Sequence, residues 1–142
     1  MTKPRILLTG AAGYVAGQLL PAFRERYDLR LVDVRREGRA GEQIEGVEVV
    51  DLLAAGGAEV APLFRDVDVV VHTGYIRPAP ADPQSNPGPL TGADPQALYD
   101  GERRNVDLMQ RVYQLALDHG VRRVVAASTN QAAKWYDYLY PQ

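Results

Sequence analysis

The chain contains no cysteine, only two histidines, and no excess of charge of either sign. Without cysteine there are no disulfides and no catalytic thiolates, and two histidines are a poor basis for a metal centre, so we predict no bound metal. A net charge of −2 over 142 residues lacks the basic character of a nucleic-acid-binding domain. Apolar runs are too short to span a bilayer, and none precedes the first predicted strand. We therefore expect one compact cytoplasmic domain with no nucleic-acid or membrane partner.

Apolar runs of strand length alternate along the chain with helical segments. The runs are continuously apolar, which is typical of parallel strands covered on both faces. The predicted strands are residues 5–8, 29–34, 47–50, 67–72 and 121–127. The predicted helices are residues 14–27, 53–65 and 95–119. The alternation predicts an α/β, Rossmann-type doubly wound parallel sheet with strand order 3-2-1-4-5, which ends after the fifth strand.

The third helical segment carries apolar residues at three- and four-residue steps, which predicts one stripe packed against the sheet. The predicted stripe is Val106, Met109, Val112, Tyr113, Ala116 and Leu117. Gly120 stands where a left-handed cap would end this helix. Residues 77–95 are rich in proline and lack periodicity, so we predict a long irregular loop before the helix.

Residues 6–17 lead from an apolar strand through a glycine-rich turn into a helix. Gly10 and Gly13 lack a Cβ, so the backbone can turn sharply and approach a pyrophosphate closely. The free N–H groups at the start of the helix would bind the phosphates without a cationic side chain. Ala16 completes the spacing because a small residue permits close helix–strand packing. The pattern predicts a dinucleotide site.

A second binding signal is Asp33, which ends the second predicted strand about 20 residues after the glycine pattern. Its carboxylate can accept hydrogen bonds from the adenosine ribose and would repel a 2′-phosphate, which favours NAD over NADP. Arg35 and Arg36 follow directly. They keep NADP open, since either guanidinium could bind a 2′-phosphate if its side chain turned inward.

These motifs, together with Asp51-Leu52, residues 69–72, Asn105-Val106 and residues 121–130, resemble the N-terminal half of an extended short-chain dehydrogenase/reductase. The group is the NAD-dependent epimerase/dehydratase family, and uronate-dehydrogenase-like members look closest. The resemblance covers nearly the whole chain, in order. It implies an NAD-dependent oxidoreductase or epimerase/dehydratase acting on a sugar, nucleotide sugar or sugar acid. Residues 1–142 would be its Rossmann domain, without the C-terminal substrate domain.

The resemblance also implies cofactor roles for residues from several segments. The pyrophosphate side would be formed by Gly10, Gly13, Tyr14, Val15 and Ala16. The adenosine side would be formed by Asp33, Asp51 and Leu52. The nicotinamide side would be formed by His72, Thr73 and Gly74, with Asn105 close to the active site. Taken without the resemblance, Asp51 is better explained as a helix N-terminal cap, and His72 as a hydrogen-bonded core histidine.

For catalysis, Thr129 matches the family's Ser/Thr, and Ser128 stands one position before it. The Thr129 hydroxyl would donate to a substrate oxygen during hydride transfer. The family's base is a tyrosine followed four positions later by a lysine, and no tyrosine of this sequence has that spacing. Tyr75 also departs from the small residue usual at its position.

Three hypotheses therefore follow from the sequence. The first is an NAD-dependent enzyme acting on a sugar-like substrate. The second is a dinucleotide-binding module without catalytic activity, which the missing tyrosine–lysine pair favours. The third is an assembly element that pairs through an exposed fifth strand. A homodimer is compatible with each of them.

Overall fold

The computed structural model describes residues 3–76 and 95–128, which form five strands and three helices. In chain order these are β1 (Arg5–Thr9), α1 (Tyr14–Arg26), β2 (Asp28–Asp33), β3 (Val47–Val49), α2 (Gly57–Phe64), β4 (Val69–His72), α3 (Pro95–Asp118) and β5 (Arg123–Ala126). The sheet has the order β3-β2-β1-β4-β5, and each neighbouring pair is parallel. The predicted α/β Rossmann-type fold and its strand order are confirmed.

The register of the sheet brings the carboxyl ends of its central strands together. Thr9, at the end of β1, lies opposite Val32 on β2 and opposite His72 on β4. The chain moves outward from β1 in one direction to β2 and β3, and in the other direction to β4 and β5. The crevice outside β1 and β4 is therefore the topological switch point at which open α/β sheets bind ligands.

Each face of the sheet has its own core, which explains why the strands read as continuous apolar runs. On one face, α1 packs Ala16 and Leu20 against the sheet, beside Leu8. On the other face, α2 and α3 pack against residues that include Leu7. The side chains of Leu7 and Leu8 are both fully buried, so β1 is covered from both sides.

The second helix begins at Gly57 and not at residue 53 as predicted. Asp51 Oδ1 accepts hydrogen bonds from the amides of Leu53 (2.9 Å) and Ala54 (3.2 Å), and this closes a separate turn. Gly56 then adopts an extended conformation and precedes the helix. The apolar pattern of residues 53–65 does not show that the helix starts late. The capped turn and the glycine pair precede the helix without changing the periodicity of the apolar residues.

The stripe predicted for α3 is only half right. The buried row is Leu108, Val112 and Ala116, whereas Val106 is 65% exposed and Leu117 is 75% exposed. Tyr113 is also exposed, and Met109 is half-buried. The helix has two adjacent apolar rows at four-residue spacing, and only one of them can face a flat sheet. The prediction mixed residues from both rows.

The left-handed cap predicted at Gly120 is confirmed, with φ at 68°. The Gly120 amide donates to the Leu117 carbonyl (3.1 Å), and the Val121 amide donates to the Ala116 carbonyl (2.9 Å). This pair of hydrogen bonds satisfies carbonyls that the end of the helix leaves without a partner. Most of the predicted loop, residues 77–94, lies outside the described residues.

The described ranges contain neither a membrane-spanning helix nor a metal-binding cluster of histidine and acidic side chains. No helix within residues 3–76 and 95–128 is long and apolar enough to cross a membrane. Within the same ranges, no group of three or more histidine or acidic side chains is arranged to hold a metal ion.

Candidate functional site

A cleft of about 920 Å³ lies at the carboxyl ends of β1, β2 and β4. Its volume falls in the usual range for small-molecule and cofactor sites. Ten of the predicted site residues line it: Gly10, Gly13, Tyr14, Val15, Asp33, Asp51, Leu52, His72, Thr73 and Gly74. The fold thus brings separate segments of the sequence into one site at the switch point.

The glycine-rich turn is shaped by a close crossing of two segments. Gly10 has φ at +72°, and the Gly13 amide donates to the Gly10 carbonyl (2.9 Å). A Cβ on Gly10 would lie only 2.5 Å from the backbone nitrogen of Gly74. The sequence predicts that the missing Cβ of Gly10 allows a pyrophosphate to approach the backbone closely. In the structure, the missing Cβ of Gly10 also leaves room for the segment after β4, which passes directly over it. The approach of a pyrophosphate stays a prediction.

The start of α1 presents free backbone donors to the cleft. Its N-cap residue, Gly13, provides no side-chain cap, and the first turn contains no acidic side chain. The first helical hydrogen bond runs from the Gly17 amide to the Gly13 carbonyl (3.0 Å), so the preceding amides have no acceptor within the helix. These amides and the helix dipole form a site for an anion. Ala16 lies behind this turn, and its side chain is fully buried in the core.

Asp33 connects the end of β2 to the glycine-rich turn. Its Oδ2 accepts a hydrogen bond from the Ala12 amide (2.9 Å), and its Oδ1 accepts one from the Val34 amide (2.7 Å). Each carboxylate oxygen has a second lone pair, which can accept a hydrogen bond from a ribose hydroxyl. Asp33 therefore has a structural role in addition to the ribose-binding role predicted for it.

Asp51 and Leu52 lie at the same end of the sheet, just beyond β3. The Asp51 carboxylate caps the separate turn after it. The prediction that it caps a helix is wrong, because α2 begins only after Gly56. Leu52 is buried in the core beside Val32, and both residues line the cleft. This side of the cleft is consequently apolar at its base and acidic at its edge.

Arginine side chains form part of the cleft wall. Of these, the sequence predicts only Arg35 near the cofactor. Arg36 donates from Nε to the Val47 carbonyl (3.1 Å), so its guanidinium lies along β3. Arg35, Arg39 and Arg104 line the cleft. No sequence signal identified Arg39 or Arg104, because their positions depend on the folding of residues 34–46 and on the rotation of α3.

Below the other half of the cleft, the Thr9 Oγ1 and His72 Nδ1 atoms form a buried hydrogen bond of 2.6 Å. Burial lowers the pKa of His72 from its ordinary value, which keeps the imidazole neutral at physiological pH. Thr73 donates from its hydroxyl to the Thr9 carbonyl (2.9 Å). These contacts join the ends of β1 and β4, and they fit the alternative that His72 is a core histidine.

Asn105 holds the segment that follows β4 against α3. Its Oδ1 accepts from the Ile76 amide (2.7 Å), and its Nδ2 donates to the Ile76 carbonyl (2.9 Å). The Tyr75 hydroxyl donates to the Glu102 carboxylate on the same helix. The hydrogen bonds of Asn105 explain why a residue of low helix propensity lies within α3.

The predicted catalytic positions fall at the edge of the described chain. Ser128 and Asn105 line a groove next to the cleft, and Thr73 and Gly74 line both. Ser128 follows β5, whose pairing with β4 is continued by a hydrogen bond from the Ala127 amide to the His72 carbonyl (2.9 Å). Thr129 lies outside the described residues.

The geometry of this cleft agrees with comparisons to known proteins. Residues 6–138 match the model of the NAD-dependent epimerase/dehydratase family. The chain belongs to this family. The resemblance predicted from the glycine turn, Asp33 and the strand pattern is therefore confirmed.

Individual proteins with similar sequences or structures are NAD-dependent dehydrogenases or short-chain dehydrogenase/reductase proteins. The chain is 30% identical over 139 residues to an NAD-dependent glucose-6-phosphate dehydrogenase of Haloferax volcanii, covering 96% of this chain and 47% of that protein. It is 32% identical over 134 residues to a uronate dehydrogenase of Pseudomonas putida, covering 93% and 43%. A short-chain dehydrogenase/reductase superfamily protein of Agrobacterium tumefaciens, solved with bound NAD, superposes with a TM-score of 0.62 at 27% identity, covering 89% of this chain and 33% of that one. The chain thus spans less than half the length of these relatives.

Proposed function

We propose that this chain is the NAD-binding part of an NAD-dependent oxidoreductase or epimerase/dehydratase whose substrate is a sugar, a nucleotide sugar or a sugar acid. One observation carries the proposal: the glycine turn, the free amides of α1 and the Asp33 carboxylate meet in a single cleft at the switch point of the sheet. Its membership of the NAD-dependent epimerase/dehydratase family supports the choice of cofactor.

The residues present fit a dinucleotide. The uncapped start of α1 can bind the pyrophosphate through the amides of Tyr14 and Val15. Asp33 can accept hydrogen bonds from the adenosine ribose, and its negative charge disfavours a 2′-phosphate. Leu52 supplies apolar surface, and Asp51 can accept a hydrogen bond from the adenine amino group.

When bound, NAD accepts or donates a hydride. The chain's contribution is to hold the cofactor between the β1 turn and the segment after β4, and to present hydroxyl groups near the reacting carbon. In this proposal Thr129 donates a hydrogen bond to the substrate oxygen and stabilises its changing charge, and Ser128 supports it. Thr73 and Gly74, which line both the cleft and the groove of Ser128, lie on the nicotinamide side.

Calorimetric titration of the 142-residue chain with NAD tests the binding role. We expect saturable binding, and we expect Gly13→Val to abolish it. The Gly13 Cβ position is already only 3.0 Å from the Gly10 carbonyl oxygen, and two further methyl groups would fill the space in front of the free amides. Gly17→Ala is the matched control, because a Cβ at Gly17 meets no atom within 4 Å. Equal affinity in the Gly13→Val and Gly17→Ala variants would refute the site.

A turnover assay tests the catalytic part of the proposal separately. NADH formation is followed by the absorbance of the reduced nicotinamide, with uronic acids and glucose 6-phosphate as substrates. The names of the relatives suggest these two classes. Substrate-dependent NADH formation would support the enzyme. NAD binding without turnover by residues 1–142 would agree both with the NAD-binding part of an enzyme and with a non-catalytic binding module, because this sequence has no tyrosine–lysine pair.

A further inference from the structure

Residues 37–43, which begin a few residues after β2, fold into a small hairpin with Arg39 near its tip. Glu37 and Gln43 form an antiparallel bridge, and the Gly38 amide donates to the Glu42 carbonyl (2.8 Å). The Ala40 amide donates to the Glu42 carboxylate (2.9 Å). These hydrogen bonds hold the hairpin in one conformation, so the position of Arg39 is set by the backbone on both sides of it.

The Arg39 guanidinium lies over the aromatic ring of Tyr14, with 5.3 Å between its Cζ atom and the ring centroid. This distance is typical of a cation–π contact, which in an exposed position contributes modestly to affinity for the cation. Tyr14 is the first residue of α1, and its own backbone amide is one of the free donors described above. The ring therefore holds a positive charge beside the anion site of the helix.

The acidic groups near Arg39 are bonded to backbone amides, and none of those described forms an ion pair with it. Within the described ranges, Arg39 forms no ion pair. Asp33 and Asp51, the two carboxylates that line the cleft, are hydrogen-bonded to backbone amides. Glu42, in the hairpin itself, is bonded to Ala40. Arg39 thus adds a cation that no ion pair holds elsewhere to a cleft whose helix N-terminus already attracts anions.

We propose that Arg39 is a phosphate ligand of this site, and that it binds the pyrophosphate of the dinucleotide while Tyr14 supports its guanidinium from below. The inference rests on the proposed function, and it adds a cationic side chain to a site for which the sequence predicted backbone amides alone. Two phosphate groups could be its target, the pyrophosphate or the 2′-phosphate of NADP. The pyrophosphate is favoured because Tyr14 begins the helix whose free amides face the cleft, and because the negative charge of Asp33 disfavours a 2′-phosphate.

The test compares NAD affinity in Arg39→Gln and Arg26→Gln, which each remove one positive charge from an exposed arginine. Arg26 ends α1, at the opposite end of the helix from the cleft. At about 20 mM salt, where screening is weak, we expect Arg39→Gln to weaken NAD binding about tenfold, since it removes a charge-assisted hydrogen bond. Arg26→Gln should stay within about twofold, because its charge lies well beyond a contact distance. At about 500 mM salt the Arg39→Gln effect should fall to about threefold.

Arg39→Lys separates charge from shape. It keeps the cation but loses the planar group that stacks on Tyr14, so we expect it to recover part of the lost affinity. Three results would overturn the proposal: NAD affinity unchanged in Arg39→Gln, an equal loss in Arg26→Gln, or a loss of affinity for NADP alone, which would assign Arg39 to the 2′-phosphate. If the wild-type chain did not bind NAD, the proposed function itself would fail, and this inference with it.

Discussion

A series of glycine substitutions tests how the cleft is built. Gly10 combines a positive φ of 72° with a Cβ position 2.5 Å from the Gly74 nitrogen. Gly46 has a positive φ of 81°, but a Cβ there meets nothing within 4 Å. Gly17 lies in α1 with the same open surroundings and no positive φ. Alanine at these three positions therefore separates two costs in the free energy of unfolding: the left-handed conformation, and the close approach of the Gly74 backbone to residue 10.

The expected changes in the free energy of unfolding follow from these geometries. Gly17→Ala should stabilise by about 0.5–1 kcal/mol, because it replaces a glycine within a helix. Gly46→Ala should destabilise by about 1–2 kcal/mol, the cost of a left-handed alanine. Gly10→Ala adds to that cost the displacement of a backbone segment, typically about 1–3 kcal/mol, so its total should reach about 2–5 kcal/mol.

Urea unfolding of the 142-residue chain, followed by circular dichroism, measures all three values. Gly10→Ala should also weaken NAD binding, since Gly74 must move away from the turn. Equal losses of stability in Gly10→Ala and Gly46→Ala would refute the argument, because the close approach of Gly74 would then contribute nothing.

Two further predictions concern titratable side chains of the cleft. Asp33→Ala should lower the ratio of NAD affinity to NADP affinity, because the carboxylate that disfavours a 2′-phosphate is removed. It should also lower the free energy of unfolding by about 1–3 kcal/mol, since the amides of Ala12 and Val34 lose their acceptor. An unchanged affinity ratio would exclude Asp33 as the ribose ligand. Burial lowers the pKa of His72 below its ordinary 6.5. The unfolded chain therefore binds a proton on this side chain more readily than the folded chain does. The folded state keeps its full stability above about pH 6.5 and loses stability as the pH falls below that value. As the pH falls below about 6.5, wild-type stability should fall more steeply than that of His72→Gln, by at most about 1.4 kcal/mol per pH unit, measured by urea unfolding at each pH. Parallel curves for the two proteins would contradict this.

The features of this structure that could be predicted from sequence are those determined by residues close together in the chain. Continuous apolar runs identified the five strands, and the alternation of strands with helices determined their order. The glycine turn and Asp33 were recognisable because their spacing follows from strand and helix geometry. Gly120 was predictable as a cap for the same local reason.

The parts that were missed depend on contacts between distant residues. The approach of Gly74 to Gly10 joins the ends of two strands that are far apart in the chain. The face of α3 that packs on the sheet could not be chosen by periodicity, since Leu108 and Met109 begin two apolar rows of similar strength. Arg39 reaches Tyr14 only because residues 37–43 fold into a hairpin, and no pattern at Arg39 itself indicates this contact.

The central claim is that the cleft above β1, β2 and β4 binds NAD, and amide chemical-shift mapping tests it most directly. A ¹⁵N-labelled sample of the 142-residue chain is titrated with NAD to saturation. The account predicts that the largest shifts fall on the amides of Gly13, Tyr14 and Val15, on Asp33 and on Thr73, while α2 remains unaffected. An absence of shifts, or shifts confined to the groove between α3 and β5, would contradict it.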